Sequence, residues 1–183
     1  MLEPQDETVY LVRLAKLGNR EAFARLVQLY ESELCGYLNS LLRDPNEAQD
    51  CAQQTFLKVW RKLSTLKDET RFRPWLYMIA RNVARDCLRR RKKISMQSWE
   101  GLEEYSIVES SPALEERATQ AELVKLALAE LPPKLRACLL LSIWGFSRCE
   151  IARILEIGTT SVSTYLCEAH KQFRQAYHRL ENE

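Results

Sequence analysis

Apolar residues recur along this chain at three- and four-residue spacing in run after run, the period of helices that each bury one face. Residues 7–17 and 20–42 carry the first two such runs, broken at Gly18-Asn19, where Asn19 can cap the second helix through its side-chain oxygen. Phe23, Leu26, Val27, Tyr30, Leu34, Leu38 and Leu41 form the buried face of that second helix. Asp44-Pro45-Asn46 ends it and starts a third through Glu47 to Ser64, with Cys51, Thr55 and Val59 inward and Ala52, Phe56 and Leu63 on a neighbouring strip. Residues 65–72 are polar and lack a period, so they read as a loop. That loop delivers the chain into a two-faced helix. Leu76, Ile79, Ala80, Val83 and Cys87 share one side, and Tyr77, Arg81, Arg85 and Arg89 share the other. Pro74 suits its first turn, and the Arg-Lys run to Lys93 closes a last turn where cations suit the helix dipole, about six turns in all.

Residues 93–112 lose the period, gain Ser, Gly and Glu, and read as a mobile acidic linker. Beyond it, Ser111-Pro112 supplies a cap and a first-turn proline for a helix to Glu130, and Leu131-Pro132-Pro133 stops that helix and starts the next. Ser147 with Glu150 forms a capping box opening a short helix with Ile151, Ala152 and Leu155 inside. Gly158 breaks it, and Thr159 or Thr160 caps a last helix holding Val162, Leu166, Ala169, Phe173 and Leu180. Short helix, glycine turn and longer helix is the helix-turn-helix arrangement, although helical hairpins that never meet DNA produce the same pattern. The expected fold is all-α: two small helical domains, 1–94 and 112–183, joined by a flexible acidic linker at 95–111, the second domain containing the helix-turn-helix.

Composition narrows the function. With 183 residues, 46% hydrophobic and 28% charged, the chain can bury a real core. No run of eighteen apolar residues occurs and the first residues are acidic and polar, so a cytoplasmic protein with no membrane insertion is expected. Net charge is only +2, but residues 58–93 are rich in Lys and Arg while residues 100–122 are rich in Glu. Cys35, Cys51, Cys87, Cys138, Cys149 and Cys167 show no metal-site spacing and read as reduced, small hydrophobic residues. Cys167 with His170 and His178 is the one grouping on which a metal or redox sensor could be argued, and its spacing matches no ligand motif. No catalytic residue, metal or cofactor is therefore expected.

The basic helix supplies the candidate chemistry. A guanidinium stripe at one-turn intervals can track phosphates, and Trp75, Tyr77 and Asn82 near the helix start can meet bases by stacking or hydrogen bonding. A solvated basic face on an ordinary bundle helix is the other reading of this stretch on its own terms.

Four ordered motifs go further. Glu47-Ala48-Gln49-Asp50-Cys51-Ala52-Gln53-Gln54-Thr55-Phe56-Leu57-Lys58-Val59-Trp60 and Phe72-Arg73-Pro74-Trp75-Leu76-Tyr77-Met78-Ile79-Ala80-Arg81-Asn82 stand in the first half. Leu131-Pro132-Pro133-Lys134-Leu135-Arg136 and Glu150-Ile151-Ala152-Arg153-Ile154-Leu155 stand in the second. Across nearly its whole length the chain resembles the extracytoplasmic-function (ECF) sigma factors of bacterial RNA polymerase, members of the sigma-70 family. The resemblance implies a protein that binds core polymerase, through its clamp helices and flap, and directs initiation at specific promoters. It implies polymerase-binding residues Gln49, Asp50, Gln53, Gln54, Lys58 and Trp60. It implies contacts to an opened minus-ten strand from Lys67, Arg71, Phe72, Arg73, Trp75, Tyr77, Arg81, Asn82, Arg85 and Arg89. Contacts to the minus-thirty-five element would come from Arg148, Arg153, Thr160, Ser161, Ser163, Thr164, Cys167, Glu168, Lys171 and Arg174. An anti-sigma factor or other regulator is a further implied partner, and the acidic linker would either run through the polymerase's positive RNA channel or serve only as a solvated tether.

This chain departs from the family in two places. Its last helix reads Thr160-Ser161-Val162-Ser163-Thr164-Tyr165-Leu166-Cys167-Glu168 where the family carries several cations, which lowers the electrostatic part of duplex binding. Gln54 stands where a Glu is usual, and Thr55 beside it is either a buried helical residue or a phosphate acceptor that restores negative charge. The alternative to a sigma factor is a helix-turn-helix regulator that binds duplex DNA without polymerase, which has no need of the aromatic and basic helix. A nucleic-acid enzyme would call for paired carboxylates, a metal cluster or a nucleophile beside His, and a helical adaptor would bind protein alone.

Overall fold

The computed structural model describes residues 4–97 and 120–182, and these fold as eight α-helices. They are α1 (Pro4–Lys16), α2 (Arg20–Leu42), α3 (Pro45–Lys62), α4 (Phe72–Gln97), α5 (Gln120–Glu130), α6 (Pro133–Ile143), α7 (Arg148–Leu155) and α8 (Thr159–Glu181). Two single helical turns, Leu63–Thr65 and Glu69–Arg71, connect α3 to α4.

Local chemistry sets most of these boundaries. The Asn19 side chain accepts from the Ala22 amide at 3.0 Å to start α2, and Asp44 accepts from the Asn46 and Glu47 amides at 2.9 and 3.1 Å to start α3. At α7 the expected capping box is complete: the Glu150 amide donates to the Ser147 hydroxyl at 3.3 Å and the Ser147 amide donates back to the Glu150 carboxylate at 2.8 Å.

Three local expectations change. Helix α4 runs past Lys93 to Gln97, so the Arg-Lys run sits inside it and not in its last turn. The left-handed residue ending α7 is Glu156 (φ 52°), two positions before the glycine expected to break the helix. Gly158 itself takes the N-cap position of α8 with an ordinary φ of −68°, so neither Thr159 nor Thr160 caps that helix. The linker expected at 95–111 lies, from residue 98, outside the described residues, as do Ser111 and Pro112.

The first four helices close over Leu26, Leu34, Leu38, Val59, Leu63, Leu76 and Ala80, all fully buried. Each such leucine contributes roughly 2 kcal/mol of burial free energy. Burial pushes the thiols of Cys51 and Cys138 up, to about 12 and about 11, so both pack as neutral apolar groups. Leu131, Leu135, Leu139 and Ala169 form a smaller cluster with Leu128, Tyr165 and Phe173 where α5 and α6 meet α8. The remaining core of the second half does not close on itself: Cys138, Leu141, Phe146, Ile151, Ile154 and Val162 belong to the same continuous cluster as the first four helices. The two halves are therefore docked, through α6 and α7 against α2 and α4.

Buried Arg136, only 4% exposed, bolts this junction. Its guanidinium donates to the carbonyls of Ala129 and Leu131, both at 2.8 Å, and to the carbonyl of Ser40 at 2.9 Å. These carbonyls lie in or just beyond the last turns of α5 and α2, where a helix leaves its acceptors without intrahelical partners. Arg43 adds a bond from its guanidinium to Ala129 O at 2.9 Å.

Candidate nucleic-acid interface

On α3, residues 49, 50, 53, 54, 57 and 58 are all exposed, because Ala48, Cys51, Ala52, Thr55 and Val59 turn the other way into the core. Gln49, Asp50, Gln53, Gln54 and Lys58 thus share one solvent-facing strip, with Lys58 Nζ 3.9 Å from Asp86 Oδ2 of α4. Trp60 is half-buried against Phe23, ring centroids 4.8 Å apart. Between them lies an apolar groove of about 560 Å³ lined by Phe23, Val27, Phe56, Leu57 and Trp60. Leu57 (59% exposed) was not among the residues expected here, although a leucine outside the inward period of α3 was a signal in the sequence. Thr55 is fully buried, and its hydroxyl donates to Cys51 O at 2.7 Å, the helical role and not a modifiable one.

The loop and α4 divide the second set of residues. Lys67, Arg71, Arg85 and Arg89 are exposed, Arg71 pairing with Asp68 at 3.1 Å. Lys16 holds the loop by donating to Leu66 O at 2.8 Å and to Glu69 at 2.6 Å, and that hydrogen bond keeps the Glu69 carboxyl below the usual range. Asn82, Arg85 and Asp86 of α4 line an open hollow of about 400 Å³ together with Lys58, Arg61 and Lys62 of α3. The Asn82 side-chain oxygen is buried there without a hydrogen-bond partner among the described residues. Arg61 and Lys62 were missed as members of this basic surface; the Lys and Arg enrichment from residue 58 onward already pointed to them.

Tyr77 and Phe72 are not available for stacking, which corrects their assignment to the strand-contacting set. Tyr77 is 0% exposed, its ring 5.2 Å from Tyr37, 6.1 Å from Trp144 and 4.9 Å from Phe146. Its hydroxyl donates to Glu33 at 3.2 Å. Phe72 is buried beside Tyr30 and Trp75, with Trp75 half-buried at the rim. Helical period put Tyr77 on the charged side of α4; the turn between α6 and α7 covers that side at its N-terminal end. Arg73 is likewise engaged, bonded to Glu33 at 3.0 Å and stacked over Phe146 with its guanidinium carbon 4.4 Å from the ring centre.

Arg81 and Arg85 both meet Glu156, whose Oε2 lies 2.9 Å from one guanidinium and 3.3 Å from the other. The Arg81 contact is a charge contact without an aligned hydrogen bond at Nη1. The close charge contact with Arg81 holds the Glu156 carboxyl below the ordinary range, with Arg85 adding to it.

In the helix-turn-helix, Arg148 and Arg153 of α7 are exposed, and so are Thr160, Ser163, Thr164, Cys167, Lys171 and Arg174 of α8. At 100° per residue those six fall on one stripe of α8. Ser161 and Glu168 flank it about a quarter turn away and are half-buried, with Glu168 accepting from the Gln172 amide at 2.7 Å. No described helix is long and apolar enough to cross a membrane.

Comparison with known proteins agrees with this geometry in order and extent. The family model "Sigma-70 region 2" matches residues 26–94, and "Sigma-70, region 4" matches residues 121–173. The chain is 29% identical to the RNA polymerase sigma-H factor of Pseudomonas aeruginosa, covering 96% of each. It is 27% identical to the ECF RNA polymerase sigma factor SigW of Bacillus subtilis, over 90% of this chain and 93% of that one. Among solved structures it shares the fold of CnrH, seen in complex with the cytosolic domain of CnrY (TM-score 0.65, 24% identity, 93% of this chain and 96% of that one). It also shares that of RpoE from Bartonella quintana, seen with the anti-sigma factor NepR (TM-score 0.68, 22% identity, 84% of this chain and 95% of that one).

Proposed function

The chain belongs to the sigma-70 family, in its extracytoplasmic-function group, and on that premise we propose how its surfaces divide the work of transcription initiation. It binds core RNA polymerase and directs initiation at specific promoters. Residues 1–94 form the unit that meets polymerase and the minus-ten element, residues 95–111 the linker, and residues 112–183 the unit that meets the minus-thirty-five element. Because the polymerase performs the chemistry, this chain contributes specificity and no catalytic residue, and it works in the cytoplasm where polymerase and promoter are.

One observation carries the reading: the packed pair α3 and α4 presents an exposed polar and apolar strip on α3 and a basic hollow between the two helices. Gln49, Asp50, Gln53, Gln54, Leu57 and Lys58 form the polymerase side, with Trp60 and Phe23 flooring the groove beside it. Arg61, Lys62, Asn82, Arg85 and Arg89, with Lys67 and Arg71 of the loop, track the displaced promoter strand by phosphate contact, and Trp75 at the rim supplies the stacking surface. In the second unit, small polar groups on the α8 stripe read bases while Arg148, Arg153, Lys171 and Arg174 hold phosphates. An anti-sigma protein is the expected regulator. Co-purification with core polymerase, followed by promoter-dependent transcription in vitro, tests the whole assignment. Failure to form a holoenzyme would overturn it.

A further inference from the structure

We propose that the second half of this chain competes with promoter DNA for α4, with Glu156 as a latch that occupies the phosphate-binding cations. This rests on the reading of Arg85, and of Arg81 one turn before it in the set that the family resemblance implies, as promoter-strand contacts. The carboxylate of Glu156 sits between both guanidiniums, at 2.9 and 3.3 Å, which is the position a backbone phosphate would take on that stripe. Its ion pairs among the described residues all run to α4 and none to its own half. One turn toward the start of α4 Trp144 closes over Tyr77, and two turns toward it Phe146 lies under the Arg73 guanidinium at 4.4 Å. Three of the expected strand-contacting cations are thus engaged by docking, while Lys67, Arg71 and Arg89 remain exposed around it.

The contact is built to exchange. Glu156 holds a left-handed backbone (φ 52°) that glycine adopts without a Cβ penalty, so its side chain is kept at a conformational cost. Tyr37, trapped beneath Trp144, keeps its hydroxyl without a hydrogen-bond partner among the described residues, and Arg81 Nη1 lacks an aligned bond. Undocking opens both groups to water. Docking leaves the α8 stripe exposed, so the closed chain hides α4 and not its helix-turn-helix reading face. A polyanion that replaces the carboxylate opens the chain, and salt, which screens exposed ion pairs, favours the same opening.

The test compares the full chain with Glu156→Gln, which keeps side-chain size, and Glu156→Gly, which suits the left-handed backbone. Circular dichroism melts establish that each is folded. Small-angle X-ray scattering then gives the radius of gyration at low and high salt, and fluorescence anisotropy gives affinity for a fluorescein-labelled single-stranded oligonucleotide. Both variants are expected to expand and to bind about fivefold tighter, the worth of one or two exposed ion pairs. Adding Arg81→Glu and Arg85→Glu to Glu156→Arg restores the compact radius. Unchanged radii in both variants and at both salts overturn the latch. Expansion without a gain in affinity, together with unaltered binding by Arg85→Ala, overturns masking and the promoter-strand assignment while the docking contact itself stands.

Discussion

Arg136 donates to the Ser40 carbonyl at 2.9 Å, so a cation of α6 completes the last turn of α2 ninety-six residues away in sequence. Burial, and then the charge of Arg43, pull its pKa down to about 10, which still leaves it charged at neutral pH. Arg136→Met keeps the apolar volume but takes the Arg136 bonds from the Ser40 and Leu131 carbonyls, Ala129 O keeping its bond to Arg43, and should cost roughly 3 kcal/mol of stability. Urea denaturation followed by far-ultraviolet circular dichroism measures it. A loss below about 1 kcal/mol, the net worth of one neutral hydrogen bond, would remove Arg136 from this role.

Tyr77 separates packing from recognition. Tyr77→Phe removes only the hydroxyl bond to Glu33 and should cost about 1 kcal/mol, whereas Tyr77→Ala opens a cavity worth roughly 3–5 kcal/mol. Promoter preference, measured by transcription from a minus-ten library, should not change in Tyr77→Phe. A shifted preference would mean that the ring leaves the core to meet a base.

The α3 groove gives a separate test of polymerase binding. Leu57 is 59% exposed, so Leu57→Asp should leave the melting temperature nearly unchanged while weakening holoenzyme assembly by about tenfold or more. Asp50→Arg should weaken it through lost charge pairing with a cation on the polymerase. Titration of labelled protein with core polymerase reads both. Wild-type affinity in both variants would move the polymerase surface elsewhere.

On α8, Lys171→Ala and Arg174→Ala should weaken binding to all minus-thirty-five sequences alike, each lowering the salt slope by about one unit. Cys167, centred on the exposed stripe, should behave differently: Cys167→Ser should alter which sequences survive a promoter-library selection. Glu168 lies to the side and is bonded to Gln172, so Glu168→Arg tests whether it still accepts from a cytosine or acts as a filter against wrong sites. A changed sequence preference keeps it in the reading surface, and an affinity gain alone removes it.

The loop before α4 should loosen in acid. Glu69, held below the usual carboxylate range first by its hydrogen bond to Lys16, contributes stability that is present above its unfolded pKa and lost as pH falls through its lower folded value. Denaturation midpoints of wild type and Glu69→Gln should therefore differ at neutral pH and converge in acid. A gap that stays constant down to acid pH would exclude this ion pair as its source.

Caps and periods are local, and most were legible; the cap of α8 was not, since Gly158 stands where Thr159 or Thr160 was expected. Asn19, Asp44 and the Ser147-Glu150 box act where side-chain type and spacing put them. Arg136 and Tyr77 were not legible, because each owes its place to an element far away in sequence. A 3.6-residue period reports which side of α4 faces the nearest helices, but it cannot report that Trp144 and Phe146 cover a second side. For the same reason the stripe of arginines on α4 read as open, although Glu156 closes two of them. The basic hollow was half legible: Asn82 and Arg85 were found on α4, and Arg61 and Lys62 join only once α3 is packed alongside.

Helix α4 is one unbroken rod of 26 residues, and that continuity makes it a ruler. Trp75 at the rim and Arg89 near the exposed end stand fourteen residues apart, which at 1.5 Å per residue is roughly 21 Å, or about six base steps of 3.4 Å. In the promoter complex proposed above, the point where a base unstacks and the point where phosphates are gripped are spaced by the helix itself. A four-residue insertion in α4 after Arg85 would keep nearly the same face while adding about 6 Å, and so should move the upstream edge of the opened segment by about two base pairs.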